Sequence, residues 1–225
     1  MANTSMFGTR RSGIIFAADL GTPDDNFRVL DLIAGHVDVV KLASPLVYQH
    51  GIRVIRLFKE RYGLPVFADL KIADVPHTDA RIVELIRDNG GSAAMIHGFV
   101  GPDALELCIE AAGPDVGLIM QLELTNPGGR MFTAPIAEDM AKLARDLGLF
   151  GVQAPGNRPD RIARIREVVG PEATVVCCGV GAQGGTLPEV FASGGTYGIV
   201  GRAIYASDDP LAAVTGLSAL APAGR

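Results

Sequence analysis

The chain has 225 residues, of which 48% are apolar and 20% charged, with a formal net charge of −5. This length and composition are typical of one globular domain, so we expect a single domain over 1–225, with residues 1–12 as a flexible tail. The acidic balance excludes an extended basic surface for nucleic acid or anionic membranes. No apolar run is long enough to span a membrane. The short run after Arg10 and Arg11 ends at Asp19 without a cleavage site, so we predict a cytoplasmic protein.

The cysteines Cys108, Cys177 and Cys178 do not make a disulfide framework, because their number is odd and two of them are adjacent. No C-x-x-C pair or histidine cluster has the spacing of a metal site. We therefore predict three reduced packing residues and no bound metal.

Short β-rich apolar runs alternate with longer amphipathic stretches along the whole chain. The runs predict strands at residues 13–19, 38–42, 65–70, 93–97, 116–122, 151–154, 174–178 and 198–200. The amphipathic stretches predict helices at residues 24–34, 51–62, 78–89, 102–112, 134–147, 159–169, 187–193 and 210–220. Runs that are apolar throughout are typical of parallel strands buried on both faces.

Eight strand–helix pairs in this length predict a single-domain α/β protein of the TIM (β/α)₈ barrel class. An open doubly wound sheet is the alternative. That fold would need a glycine-rich phosphate turn after its first strand, and the residues there are Asp19-Leu-Gly-Thr-Pro. We therefore expect a closed barrel with its functional side chains at the carboxyl ends of the strands.

Charged residues end the first three predicted strands. Asp19 ends the first strand, Lys41 lies near the end of the second, and Asp69-Leu-Lys71 ends the third. Side chains alternate along a strand, so Asp69 and Lys71 are expected to point the same way, into the barrel mouth. A structural ion pair at the rim would explain an isolated pair of this kind. Several coupled charges in one cleft are instead typical of a functional site.

Glycine-rich loops follow the last two predicted strands, where barrels of this class usually bind phosphate. The seventh strand is followed by Gly179-Val-Gly-Ala-Gln183-Gly-Gly185 and the eighth by Gly201-Arg202. Glycine lets backbone N–H groups approach an anion closely, and an arginine can add a bidentate contact. A merely flexible turn is the alternative, but the arginine and the position of both loops favour a small phosphorylated ligand.

The stretch Ala68-Asp69-Leu-Lys71-Ile-Ala-Asp74-Val-Pro-His-Thr78 resembles the D-x-K-x-x-D signature of the orotidine 5′-monophosphate decarboxylases. Four further stretches of this sequence resemble motifs of the same family, occur in the same order, and have their archaeal form. They are Lys41 with Pro45-Leu-Val after it, His97-Gly-Phe, the loop 179–185 and Gly201-Arg202-Ala-Ile-Tyr205. The D-x-K-x-x-D signature alone is shared with sugar-phosphate decarboxylases and hexulose-phosphate synthases. Its combination with Lys41, Thr78 and the Gln183 loop is more specific to the orotidylate enzymes.

The resemblance implies a homodimeric enzyme without metal or organic cofactor that converts orotidine 5′-monophosphate into UMP, the last step of pyrimidine nucleotide synthesis. Lys71 would protonate C6 of the pyrimidine, and Asp69 would lie beside the departing carboxylate. Lys41 and Asp74 would complete an alternating charged network. Asp74 and Thr78 would reach into the partner subunit's site.

The same resemblance implies how the substrate is held. Asp19 and Lys41 would contact the ribose hydroxyls. The phosphate would be held by Gln183, Gly201 and Arg202.

Two positions depart from the family pattern. Thr125 lies where many relatives carry a serine that bonds the pyrimidine amide, so its methyl group is expected to shift this contact slightly. Cys178 precedes Gly179 where relatives often have proline, and we expect a change in loop stiffness without a change in chemistry.

His97 is expected to cap the fourth strand with a hydrogen bond rather than act as a base. Glu123 is expected to line the mouth or bind a neighbouring helix terminus.

Three other functions remain open. A related lyase would act on a keto-sugar phosphate through an enediolate, often with Mg²⁺ held by acidic residues. A Schiff-base aldolase would need an uncharged Lys71, which the adjacent Asp69 and Asp74 disfavour. A non-catalytic nucleotide sensor would bind UMP without releasing CO₂, although such a protein has no need for clustered charge.

Overall fold

The computed structural model describes residues 6–181 and 183–220. Eight parallel strands close into one barrel in chain order, with the last strand paired to the first. The strands are β1 (Ile14–Ala17), β2 (Val39–Ala43), β3 (Val66–Ile72), β4 (Ala93–His97), β5 (Gly117–Gln121), β6 (Gly151–Pro155), β7 (Thr174–Cys178) and β8 (Tyr197–Val200). The predicted (β/α)₈ barrel is confirmed.

Helices connect the strands and surround the barrel. They are α1 (Pro23–Ile33), α2 (Ser44–His50), α3 (Val54–Tyr62), α4 (Pro76–Asp88), α5 (Pro102–Ala112), α6 (Gly129–Phe132), α7 (Ala137–Asp146), α8 (Pro159–Val169), α9 (Leu187–Ala192), α10 (Arg202–Tyr205) and α11 (Pro210–Ser218). Short 3₁₀ turns lie at Ala34–His36, Gly98–Val100 and Ala134–Ile136. None of the helices in the described part of the chain has both the length and the apolar character needed to cross a membrane.

Most predicted helices agree with the observed ones within two residues at each end, but two of them begin three residues later than predicted. The helix predicted at 51–62 begins only at Val54, because Gly51 has a φ of 79° and ends the separate helix α2. The helix predicted at 134–147 is divided into a 3₁₀ turn and α7. The division lies at Ile136, whose φ of −105° and ψ of 1° are not helical, so that α7 begins only at Ala137.

Apolar side chains form two cores, one on each face of the strands. Inward-pointing side chains such as Ile15, Val39, Phe67, Ile119 and Val176 fill the barrel. The residues between them point outwards and pack under the helices. Burial on both faces is the reason that the strands are continuous apolar runs in the sequence.

The segment before β1 closes the amino end of the barrel. We predicted a flexible tail over residues 1–12, and its first five residues lie outside the described ranges. Phe7, however, is only 2% exposed. Its ring centroid lies 6.0 Å from that of Phe67, 5.2 Å from that of Phe150 and 5.5 Å from that of Tyr197. The prediction was therefore wrong for this part of the segment, because a single aromatic residue in a polar stretch carries no periodic signal of burial.

Replacing Phe7 with alanine is expected to lower the free energy of unfolding by about 3–5 kcal/mol, because the change removes a buried ring and leaves a cavity. Denaturant unfolding followed by circular dichroism measures this loss. The matched control is Phe132→Ala, since Phe132 is 75% exposed and its removal should change the stability little. Equal effects of the two substitutions would contradict a role of Phe7 in closing the barrel.

Candidate active site

Four charged residues from the first three strands meet at the carboxyl end of the barrel. Lys41 Nζ lies 3.1 Å from Asp19 Oδ1 and 3.5 Å from Asp69 Oδ2. Lys71 Nζ donates to the other oxygen of Asp69, Oδ1. The Lys41 and Asp69 side chains are 8% and 7% exposed, whereas those of Lys71 and Asp19 are 34% and 38% exposed. These four residues form a chain of alternating charge, which we call the charged array.

The two buried members of the charged array keep their charges because they have opposite partners. Burial alone would lower the pKa of Lys41, but Asp69 and Asp19 outweigh burial and raise this pKa. Burial alone would raise the pKa of Asp69, but Lys71 and Lys41 lower it. The raised lysine pKa contributes stability that is lost only when the pH rises through it. The lowered aspartate pKa contributes stability that is lost only on acidification, so both contributions are present at neutral pH.

Lys71 has an unusual backbone conformation. Its φ of 53° lies in the left-handed region, where residues with a side chain are uncommon. The pairing of β3 with β4 is irregular at the same place, since its register shifts between Ala68 and Ile72. Such a conformation costs on the order of 1–3 kcal/mol and is concentrated at functional sites. It places Lys71 Nζ 3.0 Å from Met95 Sδ as well as beside Asp69, while Leu70 packs in the outer core.

Asp74 and Thr78 are exposed, Asp74 just before α4 and Thr78 in its first turn. Asp74 forms no ion pair with a lysine or arginine in the described part of this chain. Its backbone N–H donates to Asp79 Oδ1 at 2.8 Å, and Asp79 is completely buried. Burial raises the pKa of Asp79. The buried carboxyl thus holds the segment in place while the Asp74 and Thr78 side chains point outwards.

The glycine-rich loops after β7 and β8 lie side by side. A Cβ added to Gly181 would lie 3.2 Å from the Cβ of Ala203 in α10. The first loop is closed by a hydrogen bond from Gly181 N to Gly185 O at 2.8 Å. Arg202 is exposed at the start of α10, next to Gly201, and its guanidinium has no hydrogen bond or ion pair with the described residues. The arginine is therefore available to an anion at these loops.

Gln183 and Thr125 converge on the same glycine. A Cβ added to Gly179 would lie 2.9 Å from Gln183 Oε1 and 3.4 Å from Thr125 Cγ2. Gly179 also has a φ of 87°, which disfavours any residue with a side chain. A side chain at this position would collide with the Gln183 amide and lie against the Thr125 methyl group, so glycine leaves room for both residues.

Cys178 has a place in the site that the sequence analysis missed. It was predicted as a packing residue that changes only the stiffness of the loop. Burial raises the pKa of its thiol, and Lys71, Asp69 and Lys41 are close enough to act on this pKa as well. Its side chain packs against the inner core from β7, which lies across the closed barrel from β3.

Two buried glutamines on β5 and β6 were also missed. Gln121 and Gln153 are 2% and 1% exposed, and Gln121 Nε2 donates to Gln153 Oε1 at 2.7 Å. The sequence does carry a signal for them. Each is a lone amide in an otherwise apolar run, spaced by two residues from inward-pointing positions.

His97 and Glu123 were expected to have structural roles. The predicted hydrogen bond from His97 is not found for Nδ1, which is buried without a partner among the described residues. Burial and, after it, Lys71 lower the pKa of His97 to about 4, so the ring is neutral at pH 7. Glu123 is completely buried and pairs with Arg158 and with Arg161, whose Nε lies 3.0 Å from Oε2. Both arginines lie at the start of α8, which agrees with the predicted contact with a helix terminus.

Together, the glycine loops and the charged array suit a substrate that is anionic at one end and develops negative charge at the other end during a reaction. The glycine loops and Arg202 can bind a phosphate, and the charged array offers an ammonium group beside a carboxylate. Within residues 6–181 and 183–220, no group of three or more histidine, cysteine, aspartate or glutamate side chains is placed to hold a metal ion.

Comparison with known sequences and structures gives consistent relatives. The sequence profile of the orotidine 5′-phosphate decarboxylase / HUMPS family matches residues 12–217. A protein of Methanosarcina barkeri named orotidine 5′-phosphate decarboxylase is 37% identical over 213 residues, which cover 93% of this chain and 95% of that protein. A protein of Methanococcoides burtonii with the same name is 38% identical and covers 89% of this chain and 93% of its own length.

Solved structures are similar in the same way. The orotidine 5′-phosphate decarboxylase of Pyrococcus horikoshii superimposes with a TM-score of 0.86 at 31% identity, covering 92% of this chain and 98% of that chain. The enzyme of Methanocaldococcus jannaschii, complexed with the inhibitor BMP, superimposes with a TM-score of 0.87 at 30% identity, covering 94% and 99%. With its barrel, its charged array and these relatives, the chain belongs to the orotidine 5′-phosphate decarboxylase / HUMPS family.

Proposed function

We propose that this protein is a carboxy-lyase that converts orotidine 5′-monophosphate into UMP without a cofactor, in the last step of pyrimidine nucleotide synthesis. The observation that carries the proposal is the charged array, in which Lys71 donates to a buried Asp69 at the barrel mouth. The names of the relatives support the same reaction. We also propose a cytoplasmic location, which the three free thiols support.

The chemistry requires stabilisation of a carbanion. When the bond from C6 to the carboxylate breaks, CO₂ leaves and the electron pair stays on C6, where the pyrimidine ring delocalises it little. The Lys71 ammonium is an electrostatic partner for this developing charge, and its position is determined in advance by Asp69 and the backbone. Transfer of one proton from Lys71 to C6 completes UMP, and the lysine regains a proton from water.

The remaining site residues would bind the substrate away from the reacting carbon. Asp19 and Lys41 would contact the ribose hydroxyls, which their 3.1 Å ion pair at the mouth supports. Thr125 would bond the pyrimidine amide. The phosphate would be bound by Gln183, Gly201 and Arg202. Binding energy from the phosphate end can be used to position C6 against Lys71.

We also propose that the enzyme is a homodimer in which Asp74 and Thr78 enter the partner subunit's site. Both side chains are exposed in this chain, and Asp74 has no cationic partner in its described part. Large apolar side chains are exposed after β2, β3 and β4, with exposed fractions of 80% for Tyr48, 61% for Val75 and 55% for Phe99. Exposed apolar groups of this size are typical of a surface that is covered by another protein.

EDTA-treated protein is expected to consume orotidine 5′-monophosphate rapidly, and Lys71→Ala should lower turnover by a factor of at least about 10³ while the variant still binds UMP. The fall in ultraviolet absorbance of orotidylate measures the reaction. Lys142→Ala is the matched control, because this lysine lies on the outer surface of α7. Turnover of Lys71→Ala near the wild-type rate would refute the assignment.

The other candidate functions give different results in the same assay. Loss of activity with EDTA would favour a metal-dependent sugar-phosphate lyase. Binding of UMP without any turnover would favour a nucleotide sensor, and trapping of a substrate by borohydride would favour a Schiff-base aldolase.

Arg202→Ala is expected to raise KM for orotidine 5′-monophosphate by about tenfold or more, because a charged hydrogen bond to the phosphate is lost. The same substitution should leave kcat/KM for orotidine unchanged, since orotidine has no phosphate. Steady-state kinetics with both substrates measures the difference, with Arg28→Ala on the exposed face of α1 as the control. An equal effect on both substrates would contradict phosphate binding by Arg202.

Mixing Lys71→Ala with Asp74→Ala protein is expected to restore activity that neither variant has alone. In a heterodimer, one site combines Lys71 of one chain with Asp74 of the other, so it is intact. Random mixing should yield roughly one quarter of the wild-type activity, because about half of the dimers are heterodimers with one intact site each. No recovery, although the subunits exchange, would show that Asp74 acts within its own chain.

A further inference from the structure

Three inward-pointing polar residues lie next to one another on β4, β5 and β6. His97 is the register partner of Gln121, and Gln121 is the register partner of Gln153. Each has a buried polar atom without a hydrogen-bond partner among the described residues, namely His97 Nδ1, Gln121 Oε1 and Gln153 Nε2. Deeper in the barrel, the inward side chains of the same strands are apolar, as with Met95 and Ile119. Unpaired polar atoms in a buried place are costly, so this group is expected to meet a polar ligand.

The orientation of the Gln153 amide follows from its neighbours. The backbone N–H of Glu123 donates to Gln153 Oε1 at 3.2 Å, and Gln121 Nε2 donates to the same oxygen at 2.7 Å. A backbone N–H can only donate, so this atom of Gln153 must be the acceptor. The unpaired atom is therefore the Nε2 group, which has only the weakly accepting Cys178 thiol beside it and can donate to a better acceptor.

The free donor of Gln153 lies on the side of the charged array. Lys71 Nζ contacts Met95 Sδ inside the barrel. Burial raises the pKa of the Cys178 thiol, with Lys71, Asp69 and Lys41 acting on it and the Gln153 amide lowering it. Cys178 also packs against the inner core from β7, the strand paired with the one that carries Gln153, so these side chains share the interior of the barrel at its carboxyl end. If the reacting carbon atom of the substrate lies against Lys71, a group bonded to that atom and directed into the barrel would contact the Gln153 amide.

We propose that Gln153 Nε2 donates a hydrogen bond to the C6 carboxylate of orotidine 5′-monophosphate, with Gln121 holding the amide in place. This inference rests on the proposed decarboxylation. The subsite is specific for a substituent that only the substrate has, because UMP carries hydrogen at C6.

The bond would act on binding more than on the chemical step. An amide donates strongly to a carboxylate and weakly to neutral CO₂, so the interaction fades as the C6 bond breaks. Interactions that are stronger in the ground state than in the transition state tighten binding without accelerating the reaction. Gln153 would therefore help the site to select substrate over product at some cost in kcat.

The Lys71→Ala background allows a direct test, since its substrate is not consumed. Calorimetric titration should give a Kd for orotidine 5′-monophosphate that is about tenfold higher in Lys71→Ala/Gln153→Leu than in Lys71→Ala alone. The Kd for UMP should change by less than about twofold. The variant Gln153→Met, with a flexible side chain of similar length, repeats the test in case leucine prevents folding.

The outcomes separate this inference from the proposed function. An unchanged Kd for orotidylate, or an equal rise in the Kd values of orotidylate and UMP, would overturn the subsite. Turnover by the wild-type protein would still support the proposed function in that case. Absence of turnover in the wild-type protein would overturn both. In the otherwise wild-type chain, Gln153→Leu should raise KM for orotidine 5′-monophosphate by about tenfold, and an unchanged KM would also overturn the proposal.

Discussion

The site depends on one carboxylate that two lysines share. Asp69 is almost completely buried, and its two oxygens face Lys71 and Lys41 separately. A buried carboxylate or a buried ammonium group would not be stable alone, because its loss of hydration would exceed any gain. Removal of one partner from such a buried ion pair typically costs about 3–5 kcal/mol of stability. The pairing therefore holds an ammonium group at a defined place in the mouth of the barrel. The position of Lys71, and with it the chemistry, follows from this arrangement.

The barrel has two ends of opposite character, and each supports the other. At the amino end, Phe7 closes the interior with aromatic contacts, and the layers above it are aliphatic. At the carboxyl end, the inward positions carry charge and amides. Burial of the apolar part offsets the cost in stability of the clustered charges and of the left-handed backbone conformation at Lys71. Such a division lets the same strands provide both a rigid core and a reactive mouth.

Several parts of this protein could be predicted from local pattern alone. The alternation of apolar runs with amphipathic stretches predicts eight strands and a barrel, because both faces of each strand are buried. The spacing of Asp69 and Lys71 predicts side chains on the same face, and they do form an ion pair. The prediction failed for Phe7, whose partners are distant in sequence, and for the helix over 134–147, which is divided at the non-helical backbone of Ile136.

The sequence by itself thus determined the class of fold, the residues at the strand ends and the glycine loops, since these follow from period, composition and order along the chain. Only the tertiary structure decided which of these side chains touch. It packed Cys178 against the inner core, aligned Gln121 with Gln153 across two strands, and left Asp74 exposed without an ion pair in the described part of the chain. The reason is that closure of the barrel sets strand register and inward direction together, and no local segment contains that information.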